Sequence, residues 1–275
     1  NQLGSTRENL IRKEKAFAYI LGMMVSDTSK PRGYRFSNQC LISLSKKYNW
    51  SINIGEAMCK NFNLLGIKAK RIKDNDKLRS RAKNGEYRWI SEKSPFITYV
   101  MESCLGLYNG KLTTYDKINS YWLLSCPRYF LIAFLQGVCD GDGCAHNFWR
   151  AEIACHPNQR LIKELLKKFN VESYTDGDAL AVSNVESILK LYSLPLFLHA
   201  EGRLNKLRKL TQMIKKRKKL RDLNNKMKDK ILDLKTKKLS GGQISDFIYE
   251  NFDIGLHPNT INEFYRNHLN KLRTL

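Results

Sequence analysis

The chain has no uninterrupted apolar run of about 18 residues, so no segment of it is expected to span a membrane. Its first fifteen residues lack an apolar signal core, and secretion is not expected either. There is no Gly-rich phosphate loop and no nucleophile elbow. Seven cysteines, Cys40, Cys59, Cys104, Cys126, Cys139, Cys144 and Cys155, are scattered without a Cys-x-x-Cys pair, and the five histidines show no metal-ligand spacing. That argues against a zinc site and for reduced, buried thiols in a cytosolic setting. Acids are in short supply. Against 48 Lys and Arg stand 26 Asp and Glu, a net charge of +22 over 275 residues. An excess of that size points to a polyanion, either nucleic acid or an acidic membrane surface. Aromatic residues at 11% and hydrophobic residues at 42% exclude a disordered basic tail.

What the chain does have is an internal repeat. Phe17-Ala18-Tyr19-Ile20-Leu21-Gly22 leads to Asp27, and Ile132-Ala133-Phe134-Leu135-Gln136-Gly137 leads to Asp142, at a constant offset of 115 residues. Ala18 falls on Ala133, Gly22 on Gly137 and Asp27 on Asp142. A glycine on each of two apolar helices allows close packing, which would set one carboxylate from each half side by side. Two adjacent carboxylates repel unless a cation is shared. An Asp-Gly-Asp-Gly string alone is most simply a turn; its recurrence with an apolar helix and a glycine argues for metal binding. Asp140, two residues before Asp142, would cap or orient the second site or face water.

Elements follow in the same order after each motif. In the first half, two short strands are expected over 33–45, a helix over 51–65, strands over 68–73 and 86–91 joined by a basic loop, and a helix opened by Pro95. In the second, 145–155 is strand-like, Pro157 opens a helix to Phe169, 172–183 is a hairpin turning at Asp176-Gly177, and Asn184 caps a further helix. The expected fold class is α+β, with each half helix, two strands, helix, two strands, helix, and the helices on one face of an antiparallel sheet. The expected domains are 12–115 and 120–202 for the halves, 203–238 for a basic helical linker, and 239–275 for a helix-turn-helix. Residues 203–238 hold sixteen Lys and Arg and three Asp, net +13. The stripe Leu220, Leu223, Met227, Ile231 and Leu234 makes this an amphipathic basic helix with a break near 215–219. A solvated linker is the plainer reading of the same charge.

In 239–275, Ser240 and Gln243 form a capping-box pattern, Gly255 suits a left-handed turn, and Pro258 opens a second helix. That second helix would present Asn259, Thr260, Asn262, Glu263 and Arg266 to base edges or phosphates. The basic residues on or beside the expected strands are Arg32, Arg35, Lys46, Lys68, Lys70, Arg71, Lys73, Arg88 and Arg150. Alternation sets Lys68 and Lys70 on one face and Arg71 and Lys73 on the other, without saying which pair meets DNA. The four tryptophans, Trp50, Trp89, Trp122 and Trp149, read as core or sheet anchors rather than base stackers.

Residues 20–28 and 135–143 resemble the two signature helices of the LAGLIDADG homing endonucleases, in the single-chain, two-motif form. The second copy is the closer, with Leu135, Gly137, Asp140, Asp142 and Gly143 in the motif positions. The first departs at Val25, where an acid is usual, and at Thr28, where glycine is usual. The resemblance covers about residues 12–200. It implies two pseudo-symmetric αββαββα halves with a saddle-shaped DNA-binding sheet, and a metal-dependent double-strand break made over the minor groove, one strand per half, leaving 3′ overhangs. It implies catalytic, metal-binding roles for Asp27 and Asp142, with the Ser26 and Gly141 carbonyls assisting. The cofactor would be two or more Mg2+ ions, with Mn2+ or Ca2+ as substitutes for binding. A basic residue near each metal is also implied, for which Lys111 and Arg203 (or Lys206) are candidates by place, with phosphate contact or plain solvation as the alternative. The partner would be double-stranded DNA and the protein a monomer, cytoplasmic or nucleoid-associated, or organellar if its gene is. Two other readings stay open: a non-catalytic regulator pairing this domain with a helix-turn-helix, and a maturase binding intron RNA.

Overall fold

The computed structural model describes residues 2–29, 38–72, 85–107, 116–146 and 149–273. The expected positions Arg32, Arg35, Lys73 and Lys111 lie outside them, as does most of the basic loop between the first half's later strands.

The first half runs α1 (Gln2–Val25), β1 (Thr28–Ser29), β2 (Leu41–Ser45), α2 (Ser51–Leu64), β3 (Ala69–Arg71), β4 (Glu86–Ser91) and α3 (Pro95–Tyr99), the last continuing into a π turn over Val100–Cys104. After a 3-10 turn (Tyr121–Ser125), the second half runs α4 (Arg128–Asp142), β5 (Gly143–His146), β6 (Arg150–Ala154), α5 (Gln159–Lys167), β7 (Tyr174–Asp176), β8 (Ala179–Val182) and α6 (Val185–Ser193). The two sheets have the same antiparallel topology, β1-β2-β4-β3 and β5-β6-β8-β7. The expected αββαββα order is therefore present twice. The expected cap is there as well: Asn184 accepts from the amides of Glu186 and Ser187. One start differs. Pro157 sits in a turn, and α5 begins at Gln159, with the Asn158 side chain turned away from the helix it precedes. It accepts from the Ile118 amide at 2.9 Å and donates to the Asp116 carbonyl at 3.0 Å.

The halves meet along α1 and α4, where the repeat becomes a reciprocal contact. A Cβ on Gly22 would lie 2.1 Å from the Phe134 carbonyl oxygen and 2.9 Å from the Val138 nitrogen. A Cβ on Gly137 would lie 2.2 Å from the Tyr19 carbonyl oxygen and 2.8 Å from the Met23 nitrogen. Those partners are again 115 residues apart, so a local two-fold relation runs between the two glycines. Only backbone fits there, and the surrounding Ile20, Leu21, Met23, Phe134, Leu135 and Val138 are buried in one core with the helices and inner sheet faces of both halves.

The basic stretch 203–238 divides between two cores. α7 (Glu201–Lys215) buries Leu207, Leu210, Met213 and Ile214 in the main core. α8 (Asn225–Thr236) starts later than the apolar stripe suggests. Asn224 caps it by accepting from the Met227 amide, leaving Leu220 in a 3-10 turn and Leu223 in the connection. Met227, Ile231 and Leu234 of α8 form a second core with Ile244 and Ile248 of α9 (Gly241–Phe252) and Ile261 of α10 (Pro258–Arg273). The capping box at Ser240 and Gln243 is formed in both directions. Gly255 is needed for a reason other than the expected one. Asp253 takes the left-handed backbone that ends α9 (φ 56°), whereas a Cβ on Gly255 would lie 1.9 Å from the Met213 carbonyl oxygen of α7. Close approach, not backbone hand, excludes a side chain there.

Candidate functional site

Each motif helix ends beside the first strand of its own sheet, β1 following α1 and β5 following α4. The acids Asp27 and Asp142 stand at those two ends, each half-buried. What brings the ends together is an unequal pair at equivalent repeat positions, Ser26 and Gly141. A Cβ on Gly141 would lie 2.2 Å from Ser26 Oγ and 3.3 Å from the Asp27 nitrogen, so only one side chain fits between the helices. It belongs to Ser26, whose hydroxyl contacts the Gly22 carbonyl of its own helix at 3.1 Å and the Gly137 carbonyl across the seam at 3.3 Å. The backbones that carry the two acids thus pass in close contact, which sets Asp27 and Asp142, both half-buried, at adjoining helix ends.

Carboxylates and backbone carbonyls are the ligand types a hard divalent cation takes. Among the described residues no group of three or more His, Cys, Asp or Glu side chains comes together to hold a metal. An ion at the paired helix ends would be completed by carbonyls, water and the oxygens of a ligand, as magnesium is, rather than enclosed by protein as structural zinc is.

Arg203 reaches this place, but with a defined task. Its Nη1 donates to the carbonyls of Cys139 (3.2 Å), Asp140 (2.5 Å) and Gly141 (2.6 Å). The last two are carbonyls a helix leaves without partners at its C-terminus, where a cation also opposes the helix dipole, while the Cys139 carbonyl accepts from the Gly143 amide as well. The guanidinium therefore fixes the end of α4 and takes one lone pair of the Gly141 oxygen. Lys206, its neighbour by place, is exposed on α7.

Asp140 neither faces water nor joins the acid pair. It is fully buried, accepting from Tyr19 Oη at 3.0 Å and from the His199 amide at 3.2 Å. Burial pushes its carboxyl up to about 6, opposed by those donors and by Arg203. Burial, then Asp140 and Asp27, hold the Tyr19 phenol well above its ordinary range, so it stays a donor. Cys155 is pushed up to about 12, by burial and the charge of Asp142. The Tyr19–Asp140 bond is missed by sequence reasoning, yet the repeat carries its signal. Tyr19 stands where the second copy has Phe134, and Asp140 where the first has Val25. The two polar departures from the repeat find each other across the seam. Tyr19→Phe keeps the ring and leaves one buried carboxylate oxygen without its donor, so it should cost about 1–3 kcal/mol of stability. Urea unfolding in EDTA would measure this; an unchanged midpoint would show that the bond contributes nothing.

The register decides which strand residues face outward. In the first sheet, Ile42 pairs with Trp89 and Leu44 with Tyr87 on the helix-covered side, so Leu41, Ser43, Arg88 and Ile90 line the open side. Lys70 pairs with Ile90, on that open face, and Arg71 pairs with Trp89 on the other. Of the two alternating sets, the outward one is therefore that of Lys68 and Lys70; Arg71 lays its guanidinium over the Tyr87 ring at 4.4 Å. Trp89 is a core anchor, as expected, wedged against Gly55 with its Nε1 donating to Glu56. In the second sheet, His146, Arg150, Glu152, Tyr174 and Asp176 share the open face. Arg88 and Arg150 both face outward and both are paired, Arg88 with Glu86 at 3.0 Å and Arg150 with Glu152 and Asp176. A polyanion on these faces has to compete with resident carboxylates.

In the C-terminal unit, Asn259, Asn262 and Arg266 are exposed on α10 and Thr260 is half-exposed; Asn262 also accepts from Lys235 of α8 at 2.6 Å and lies against Gly241. Asn262 thus holds helices together.

No family model matches the chain, and no curated protein does. Solved structures of the homing endonuclease I-DmoI are similar in part. A structure of its mesophilic variants aligns at 16% identity and a TM-score of 0.44, over 66% of this chain and 96% of that one. I-DmoI in complex with DNA and Mn aligns at 15% and 0.45 over the same shares, and with DNA and Ca at 16% and 0.44, over 66% of this chain and 90% of that one. At that level of similarity, function has to be read from this chain's own residues.

Proposed function

We propose that the chain is a site-specific DNA endonuclease of the LAGLIDADG type, making a divalent-metal-dependent double-strand break with one strand assigned to each half. The observation that carries this reading is the reciprocal glycine contact between α1 and α4, which delivers Asp27 and Asp142 to adjoining helix ends. Asp27 and Asp142 would hold two or more Mg2+ ions, helped by the Ser26 and Gly141 carbonyls. Divalent ions supply, when bound, charge stabilisation on the phosphate and a more acidic water. The chain's own contribution is geometric. Ser26 locks the helix ends, Arg203 fixes the end of α4, and the open faces bearing Lys68, Lys70, Arg88 and Arg150 orient the duplex in a saddle over the acids. Both halves lie in one chain, so a monomer suffices, and 3′ overhangs follow from cuts offset across the minor groove. The C-terminal pair α9–α10 serves as a helix-turn-helix that adds DNA contacts through Asn259, Thr260, Asn262 and Arg266.

Cleavage of a randomised plasmid library with Mg2+ and with EDTA, followed by sequencing of the ends, tests the reading. Metal-dependent breaks at one long site support it. Specific binding without cutting would replace it with a regulator, or with a maturase if intron RNA is the tighter ligand. Binding should also weaken by roughly 10³–10⁵ between 50 and 200 mM salt if six to ten phosphates are contacted. A flat response in a filter-binding titration would contradict a basic DNA surface on a chain of net charge +22.

A further inference from the structure

The unit α8–α10 is held at one particular end of the second half. α7 begins at the seam between the halves, where Gly202 lies against Trp50 of the first half and Arg203 holds the last carbonyls of α4. It then runs alongside β5, and near its far end Met213 meets Gly255. The ten steps from Arg203 to Met213 measure about 15 Å at 1.5 Å per residue. β5 starts at Gly143, next to Asp142, and covers about 10 Å from there to His146. Beyond it, in the β5–β6 connection, Trp149 is buried under the C-terminal unit, its ring 5.1 Å from that of His257 and 5.7 Å from the Arg217 guanidinium. A helix and a strand that both start beside the acids thus end at the same unit. The offset is one-sided, lying at the outer end of the second sheet.

The attachment is broad and polar. The Lys218 amide donates to the Gly255 carbonyl, and the Gly255 amide to the Lys216 carbonyl, both at 3.0 Å. Lys209 pairs with Asp246 and Glu250, Lys216 with Asp253, and Tyr249 donates to Gln212. The acids of α9 thereby neutralise cations facing the body, while Lys215, Arg217, Lys218, Lys219 and Arg221 remain exposed along the connection. That run forms a basic track from the outer end of the second sheet to α8–α10.

We infer that the C-terminal unit lengthens the DNA interface on one side only, on the flank beyond the half-site read by the second sheet, so that the target is asymmetric about the cut. The partner is duplex DNA, recognised through its phosphates by the track at 215–221 and through a groove by α10. This rests on the endonuclease reading above. α10 has 16 residues, about 24 Å, which corresponds to about seven base pairs at 3.4 Å each. The protected region should extend farther from the cut on one arm by about that amount.

Hydroxyl-radical footprinting of the full chain in Ca2+, on the target from the library, tests the inference with three variants. Arg266→Glu should remove protection at the outer end of the long arm and lower the salt slope by about 1. Arg150→Ala should weaken the inner part of that same arm, and Arg88→Ala the opposite arm. A footprint of equal arms, or an Arg266→Glu effect on the arm of Arg88, overturns the one-sided placement while leaving the endonuclease reading intact. No protection of any duplex at low salt overturns both. If Arg266→Glu misfolds by circular dichroism, Lys218→Glu/Lys219→Glu on the exposed track should shorten the same arm, and an unshortened arm counts equally against the inference.

Discussion

Asp27→Asn and Asp142→Asn should each abolish linear product from a supercoiled plasmid while leaving DNA binding largely unchanged. Asparagine matches aspartate in size, so the seam between α1 and α4 is undisturbed. What it removes is a full negative charge from a pair set at adjoining helix ends. An amide oxygen is a poor substitute for a carboxylate on a hard cation. Losing one such electrostatic group typically lowers a rate by about 10²–10³-fold, and an ion shared by both acids would raise the loss further. Binding should be equal or slightly tighter, because one repulsion with the phosphates disappears. The measurement is a plasmid cleavage time course in Mg2+, paired with gel-shift titration in Ca2+. Normal double-strand cutting by either variant would show that its acid holds no essential cation. Equal loss of cutting and binding would place the acids in DNA recognition instead.

Gly22→Ala and Gly137→Ala should each destabilise the fold at or beyond the upper end of the roughly 1–3 kcal/mol usual for overpacking. The added methyl would meet a carbonyl oxygen at 2.1 or 2.2 Å, and a backbone oxygen cannot rotate aside as a side chain can. Relief requires α1 and α4 to move apart, opening the core that both halves share. Separation by about 1 Å would also displace the acids, a shift that can cost about 10²-fold in rate. Gly66→Ala is the control. Gly66 has φ +80° and nothing within 4 Å of an added Cβ, so its substitution carries only local backbone strain, about 1–2 kcal/mol. Thermal or urea unfolding distinguishes the two cases. Seam variants no less stable than Gly66→Ala would mean that the helices do not abut at these glycines.

Much of the architecture was legible because it is written in short-range terms. A glycine and an acid recurring at an offset of 115 residues identify two motif helices. Alternation marks β4 over 86–91, and side-chain caps mark the starts of α6 and α9. The acid pair was legible for the same reason: the offset that aligns Gly22 with Gly137 carries on to Asp27 and Asp142.

The remainder depended on what approaches from elsewhere in the chain. Alternation sorted Lys70 from Arg71 but could not orient them; the pairing of Lys70 with Ile90 on the face away from α2 did. Arg203 is one of sixteen cations in its stretch, and only the fold aims it at the bare carbonyls of α4. Asp140 looked like its neighbour Asp142, yet one is sealed inside by Tyr19 and His199 and the other is half-exposed at the helix end. Gly255 carries the same letter whether it serves backbone hand or close approach, and the Met213 carbonyl makes it the second. Composition, periodicity and repetition determine which elements form and which residues are equivalent, because those depend on neighbours along the chain. Which face is open, which charge is already spent and which acid is dry are decided by packing in three dimensions, since burial and pairing are set by atoms far off along the chain, as Tyr19 is from Asp140.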